Sequence, residues 1–187
     1  MAEKYHHGAL REALVAAALE LLDTGDIAPS LREVARAAGV SAMAPYRHFA
    51  DRDALLGAVA EYGFTQLRER VLIADDAADE RTALVAQGRA YVDFALAHPA
   101  LFRLMFSGEK SGGVPEGDTA YTVLARRVAD IAPDRAEMAT LAAWGLVHGL
   151  ATLLLDTRIG TLPANAVDAA LNLLVDGMMV QGSTATG

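Results

Sequence analysis

The apolar residues of this chain recur at steps of three and four almost from end to end, and that spacing limits its possible folds more than any other feature. Leu10, Leu14, Ala17, Ala18 and Leu21 share one face of a helix that ends near Gly25. Ala supplies roughly a fifth of the chain, while β-branched and aromatic residues are sparse, so propensity pulls the same way as spacing. With 187 residues, 53% of them hydrophobic, the chain has the length to bury a core, and disorder as a whole-chain state is excluded.

The breaks between helices are equally local. Pro29-Ser30 stops and restarts the chain, and Ser30-Leu31-Arg32-Glu33 reads as a capping box. The short helix that follows turns Leu31, Val34, Ala35 and Ala38 inward and ends at Gly39 in a left-handed conformation. Ser41 caps a third helix with Pro45 in its first turn, where a missing N–H costs at most one bond. A fourth helix starts at Asp51, with Leu56, Ala60, Phe64, Leu67 and Val71 on its inner face. After the acidic break Asp75–Asp79, five more helices run roughly over Glu80–His98, Pro99–Phe106, Asp118–Ala132, Asp134–Asp156 and Ala164–Gln181. Ser107–Gly117 is a Gly-rich loop and Gly182–Gly187 a frayed tail. The expected fold class is all-α, about nine helices in two unequal domains.

Met138–Leu155 is 18 residues without a formal charge. A membrane span needs ~20 apolar residues, and Thr140, His148 and Thr152 interrupt this one. A helix buried on most faces inside a helical protein is the expectation. No secretory signal opens the chain, which predicts a cytoplasmic protein with no membrane partner. With no Cys, disulfides, thiolate zinc sites and a Cys nucleophile are excluded.

Chemistry concentrates in Ser30–Phe49, SLREVARAAGVSAMAPYRHF. Two short helices joined by Gly39-Val40-Ser41, with small Ala35 at their crossing, follow the grammar of a helix-turn-helix. A plain corner between packed helices has the same grammar. Beyond grammar, Ala35-x3-Gly39-Val40-Ser41-x4-Tyr46-x-His48-Phe49, followed by Asp51-Arg52-Asp53-Ala54-Leu55-Leu56, closely resembles the N-terminal domain of TetR-family transcriptional repressors. Trp144-x3-His148-Gly149 resembles the Trp-His-Gly signature of one TetR-family regulatory-domain subgroup. The resemblance implies a DNA-binding domain over residues 8–68, its helix-turn-helix at 30–49, and an effector-binding and dimerisation domain over 69–187. It also implies a homodimer on a palindromic double-stranded operator, released by a small effector.

Matched residue by residue, Tyr46 corresponds to the family's tyrosine on the phosphate backbone, packing of the motif being the alternative. His48 corresponds to a histidine beside that backbone, with a cap or packing role equally open. Arg52 stands where the family often has a phosphate-contacting lysine, and a solvated arginine is the other reading. Ser30 and Arg32 match the family's phosphate contacts before the turn, although the capping box alone accounts for Ser30. Phe49 reads as core. In the reading element, Ser41, Ala42, Met43 and Ala44 face DNA with Pro45, and 42–45 offer a base edge no strong donor. What remains is apolar contact with thymine methyl groups and Arg47, which can reach either guanine or a phosphate; in the first case it carries much of the direct readout, and DNA shape and half-site spacing supply the rest.

In the C-terminal part, Tyr91, Phe94, Phe102, Met105, Met138, Trp144 and His148 lie on successive helices and fit either a ligand pocket for a hydrophobic effector or ordinary core. No cofactor or metal is expected, because no second His or carboxylate stands three or four residues from His148. The last two helices, with a Val167, Leu171, Leu174, Met178 stripe and Gly145 and Gly149 for close approach, suit homodimerisation. No P-loop, nucleophile elbow, zincin or dinucleotide motif is present, so an enzyme is not expected. A helix-turn-helix-shaped protein-interaction module and a transcriptional activator stand as the alternatives.

The formal charge is −8. Residues 1–50 hold five basic and six acidic side chains, and the remainder eleven and eighteen. Ser30–Arg52 has four arginines against Glu33 and Asp51, so a mildly basic head sits on an acidic chain. Weak non-specific binding and a modest number of phosphate contacts per head follow.

Overall fold

The computed structural model describes residues 4–24, 28–77, 79–107, 117–160, 163 and 165–180. Among these residues there are eight α-helices, two three-residue 3-10 turns and no strand. The middle of the expected Gly-rich loop, residues 108–116, and the expected tail, 182–187, lie outside the described residues.

The chain divides into two compact units, Met1–Phe64 with His98–Pro115, and Thr65–Ala97 with Glu116–Gly187. In the first, α1 (Lys4–Thr24) buries Leu14, Val15, Ala17, Ala18 and Leu22, close to the face expected from spacing. Helix α2 (Leu31–Ala37) buries Leu31, Val34 and Ala35. Helix α3 (Arg52–Ala74) starts where Asp51 Oδ1 accepts the Ala54 N–H at 2.8 Å. Helix α5 (Pro99–Met105) packs within this first unit. Its place is set by Gly63 on α3: a Cβ there would meet Met105 Sδ at 2.6 Å and Leu101 Cδ1 at 3.0 Å. The missing side chain lets the two helices touch, and Phe64 meets the edge of Phe106 beside that contact, centroids 5.4 Å apart.

The second unit packs α4 (Glu80–Ala97), α6 (Ala120–Ile131), α7 (Ala136–Leu155) and α8 (Ala166–Val180) around Leu84, Leu124, Val128, Ala139, Ala143 and Val175. The cap of α6 lies one residue after the expected start at Asp118. It is Thr119, in reciprocal bonds with Thr122, while Asp118 instead accepts the Thr122 hydroxyl. Gly88 admits α8 and α7 to α4, since a Cβ there would lie 2.5 Å from Leu171 Cδ2 and 3.3 Å from Val147 Cγ1. Arg81 with Asp176 and Arg89 with Asp168 pin α4 to α8 at 2.7 and 3.1 Å, exposed pairs that contribute at most ~1 kcal/mol each.

Helix α7 corrects one expectation. The segment Pro133–Leu155 has mean hydropathy 1.7, enough by length and composition to cross a membrane, yet only 28% of its apolar window is buried. It is not covered on most faces within one chain: Met138, Leu141 and Leu153 are exposed, and nothing lies within 4 Å of a Cβ built at Gly145 or Gly149. The final-helix stripe also turns the other way. Leu171 and Met178 are buried inside the unit, and the apolar residues left outside on α8 are Leu173 and Met179. An amphipathic helix satisfies its strongest stripe against its own unit first.

Candidate DNA-reading surface and effector pocket

The reading surface is built from local bonds. Ser30 Oγ accepts the Glu33 N–H at 3.3 Å, and Glu33 Oε2 accepts the Ser30 N–H at 2.8 Å and its hydroxyl at 2.7 Å, the capping box expected from the residues. The Ser30 hydroxyl, bonded to it, holds the Glu33 carboxyl below the usual carboxylate range. At the other end of α2, the Val40 N–H reaches the Ala35 carbonyl at 2.9 Å and the Gly39 N–H the Arg36 carbonyl at 3.2 Å. This is a Schellman closure, and it places Gly39 at φ +68°.

The element after the turn is not the α-helix expected from Ser41. It is a 3-10 turn, Pro45–Arg47, with Ala44 N–H bonded to the Ser41 carbonyl and Arg47 N–H to the Ala44 carbonyl. Pro45 has no N–H for the bond back to Ser41 that would open an α-helix there, so the backbone closes three-residue rings instead. Pro45 and Phe49 are buried, and the Arg11 guanidinium lies over the Phe49 ring at 5.5 Å from its centroid. Around that anchor Arg32, Ser41, Ala42, Met43, Tyr46 and Arg47 are exposed, Met43 at 69% and Tyr46 at 45%, while Ser30, Ala44 and His48 are half-buried. Arg52 is placed differently from a free phosphate contact. Its guanidinium donates to the carbonyls of Ala28 and Pro29, tying the start of α3 to the segment before α2.

Of the seven C-terminal candidates, the structure brings three into contact. The Tyr91 hydroxyl is hydrogen-bonded to His148 Nδ1 at 2.9 Å, and the Trp144 ring meets Tyr91 edge-on at 5.1 Å. Burial holds the Tyr91 phenol above its usual range and pushes the His148 imidazole below its own, so both stay neutral. Phe94 is buried in the same unit with the Arg70 guanidinium over its ring. Phe102 and Met105 are buried in the first unit, on α5. Met138 is 59% exposed and lines an open groove of about 790 Å³ with Ala142, Leu146, Leu173 and Gly177.

Tyr91 and Trp144 line a second, apolar pocket of about 20 Å³ with Gln87, Gly88, Leu171 and Leu174. Gln87, 2% exposed, is the residue that sequence reasoning missed. It stands three residues after Leu84 and four before Tyr91, a polar side chain on an otherwise apolar face, and that was the available signal. Its Nε2 donates to Asp75 Oδ1 at 2.5 Å, and Arg127 Nε donates to the same oxygen at 2.7 Å. Gln87 Oε1 is buried with no hydrogen-bond partner among the described residues. An orphaned buried acceptor of this kind costs about 1–3 kcal/mol. Among the described residues no three His, Asp or Glu side chains gather as a metal ion would need.

An exposed arginine and tyrosine on a capped helix-turn-helix, in a chain that also holds a helical unit with a small apolar pocket, define a DNA-binding transcription regulator. Residues 14–59 match the bacterial regulatory proteins of the tetR family, and residues 84–178, half of the chain, match the tetracyclin repressor-like C-terminal domain. The chain belongs to the TetR family. A protein of unknown function from Rhodococcus sp. RHA1 is 34% identical, with 96% of this chain and 98% of that one aligned at TM-score 0.77. BioQ, solved with its natural double-stranded DNA operator, is 27% identical over 90% of this chain and 97% of its own, TM-score 0.62. A point variant of TetR from Acinetobacter baumannii AYE, in complex with minocycline, is 24% identical over 93% and 96%, TM-score 0.63, a likeness of fold. No curated protein matches the chain.

Proposed function

We propose that this regulator is a ligand-responsive repressor that binds a palindromic operator as a homodimer and is released by a small apolar effector. The observation that carries the reading is the exposed Tyr46–Arg47 pair, held on the buried Pro45 and Phe49. BioQ's complex with its operator supports DNA as the partner. The open apolar groove between α7 and α8 supports a second copy as the other partner, since exposed faces of this kind mark interfaces. The protein acts in the cytoplasm, at the nucleoid, without enzymatic chemistry.

Arg47 reads bases, and Tyr46, Arg32 and His48 position the head on phosphates. Arg52 acts from behind, by fixing the chain before α2. Selection of bound DNA from a random pool tests this. Arg47→Ala is expected to change the ranking of bound sequences, and Tyr46→Phe to weaken all of them alike. An unaltered ranking for Arg47→Ala removes the base-reading role, and recovery of no sequence at all removes the regulator reading. Sedimentation at micromolar concentration is expected to show a dimer, and a well-folded monomer there overturns that part.

A further inference from the structure

The Gln87 amide is oriented by its neighbour. A carboxylate only accepts, so Nε2 faces Asp75 and Oε1 is turned away from it. Oε1 is thus a buried acceptor, without a partner among the described residues, on a side chain that lines the pocket of α4, α6, α7 and α8. Among the described residues no Lys, Arg, Asp or Glu lines that pocket. Arg127, the cation that shares Asp75 with Gln87, is committed to that carboxylate and to Asp130 at 3.7 Å. An anion entering here would lose its hydration and gain no counter-charge.

We propose that the pocket takes a neutral aromatic molecule carrying one hydrogen-bond donor, which Gln87 Oε1 accepts, and that Gln87 determines this specificity. The proposal rests on the effector reading above. The walls are aromatic and aliphatic: Tyr91, Trp144, Leu171 and Leu174. At about 20 Å³ the space matches roughly one water, so a ring enters by moving a wall. Trp144 and Leu174 are the half-buried members of that wall, whereas Leu171 is buried against Gly88. The Tyr91 hydroxyl is already engaged with His148, which leaves the amide oxygen as the polar anchor.

Phenol, toluene and benzoate test this as three probes of one ring size: donor, no donor, and anion. Binding to the full-length chain is read from Trp144 emission and by calorimetry. Phenol is expected to bind on the order of tenfold more tightly than toluene, with benzoate no better than toluene. In Gln87→Leu the phenol preference should vanish while toluene binding persists. Parity of phenol and toluene in the wild type overturns the proposal, being the result expected if a single trapped water satisfies Oε1. So do benzoate binding tightest, no probe binding, or a phenol preference that survives Gln87→Leu. The wild-type comparison decides even if the variant fails to fold. A chain that selects an operator but shows no phenol preference loses this proposal and keeps the regulator reading, whereas a chain that selects no DNA loses the regulator reading whatever phenol does.

Discussion

The reading head and the C-terminal unit place their polar chemistry on opposite sides of the protein–water boundary. In the head, Arg32, Tyr46 and Arg47 stand in solvent, and what lies beneath them is a proline, a phenylalanine and backbone bonds spanning three to five residues. In the C-terminal unit the polar groups at the pocket are inside. Gln87 and Tyr91 are at most 2% exposed, and their partners are 12 and 57 residues away in sequence. A surface that reads phosphate and base edges gains from solvated side chains on a stiff local frame. A pocket gains from buried groups in a low-dielectric setting, where each unmet bond weighs more. Trp144, the single tryptophan, lies in the second region and reports on it alone.

That optical asymmetry offers ways to break the contrast. The largest effect is expected from Phe49→Ala, about 3–5 kcal/mol lost from the head. Helical circular dichroism and operator binding should fall together while Trp144 emission at low denaturant stays native. If the emission moves too, the two regions are not separable. Gly39→Ala comes next, at about 1–2 kcal/mol, because the strain lies in a left-handed backbone with nothing crowding the added carbon. Its urea midpoint for loss of operator binding should fall accordingly. Tyr91→Phe is expected to cost about 1 kcal/mol and to shift Trp144 emission without changing operator affinity. A change in DNA ranking there would show that the pocket region shapes readout directly.

The smallest effect is a pH difference. His148 is held neutral by burial, so the unfolded chain takes up its proton more readily than the folded one. Its contribution is full above about pH 6.5 and declines as pH falls below that value. Glu33 has the same sign in a more acidic window: its lowered carboxyl keeps the cap charged, and that contribution is lost only as pH falls through the carboxylate range. Between pH 8 and 5.5 the urea midpoint read from Trp144 should drop in the wild type and drop less in His148→Asn. Equal drops would remove His148 as the source.

The same contrast explains what was legible. Ser30 with Glu33, and Gly39, announce themselves because cap and partner lie within a few residues, and helix ends from α3 to α8 fall close to their expected places for that reason. The cap of α6 differs by one residue because Asp118 and Thr119 both suit a cap, and Thr122 three residues beyond decides for Thr119. Pro45 is visible in the sequence, but its missing N–H predicts only one lost bond, not the change of helix type that the structure has. Chain order places Phe102 and Met105 after Tyr91 and Phe94 and so suggests one pocket, whereas Gly63, far upstream, receives Leu101 and Met105 of that helix. The Asp75, Gln87 and Arg127 cluster joins the end of α3 to α4 and α6, and such closure leaves no spacing to read.

The three-residue turn at Pro45 bears on how such a regulator changes over generations. Its shape rests on the ring of Pro45 and on Phe49 beneath, not on the outward side chains at 42, 43, 46 and 47. Those positions are therefore free to be rewritten one at a time with little structural penalty. A duplicated gene can drift toward a new operator through single substitutions, each leaving a folded protein for selection to act upon.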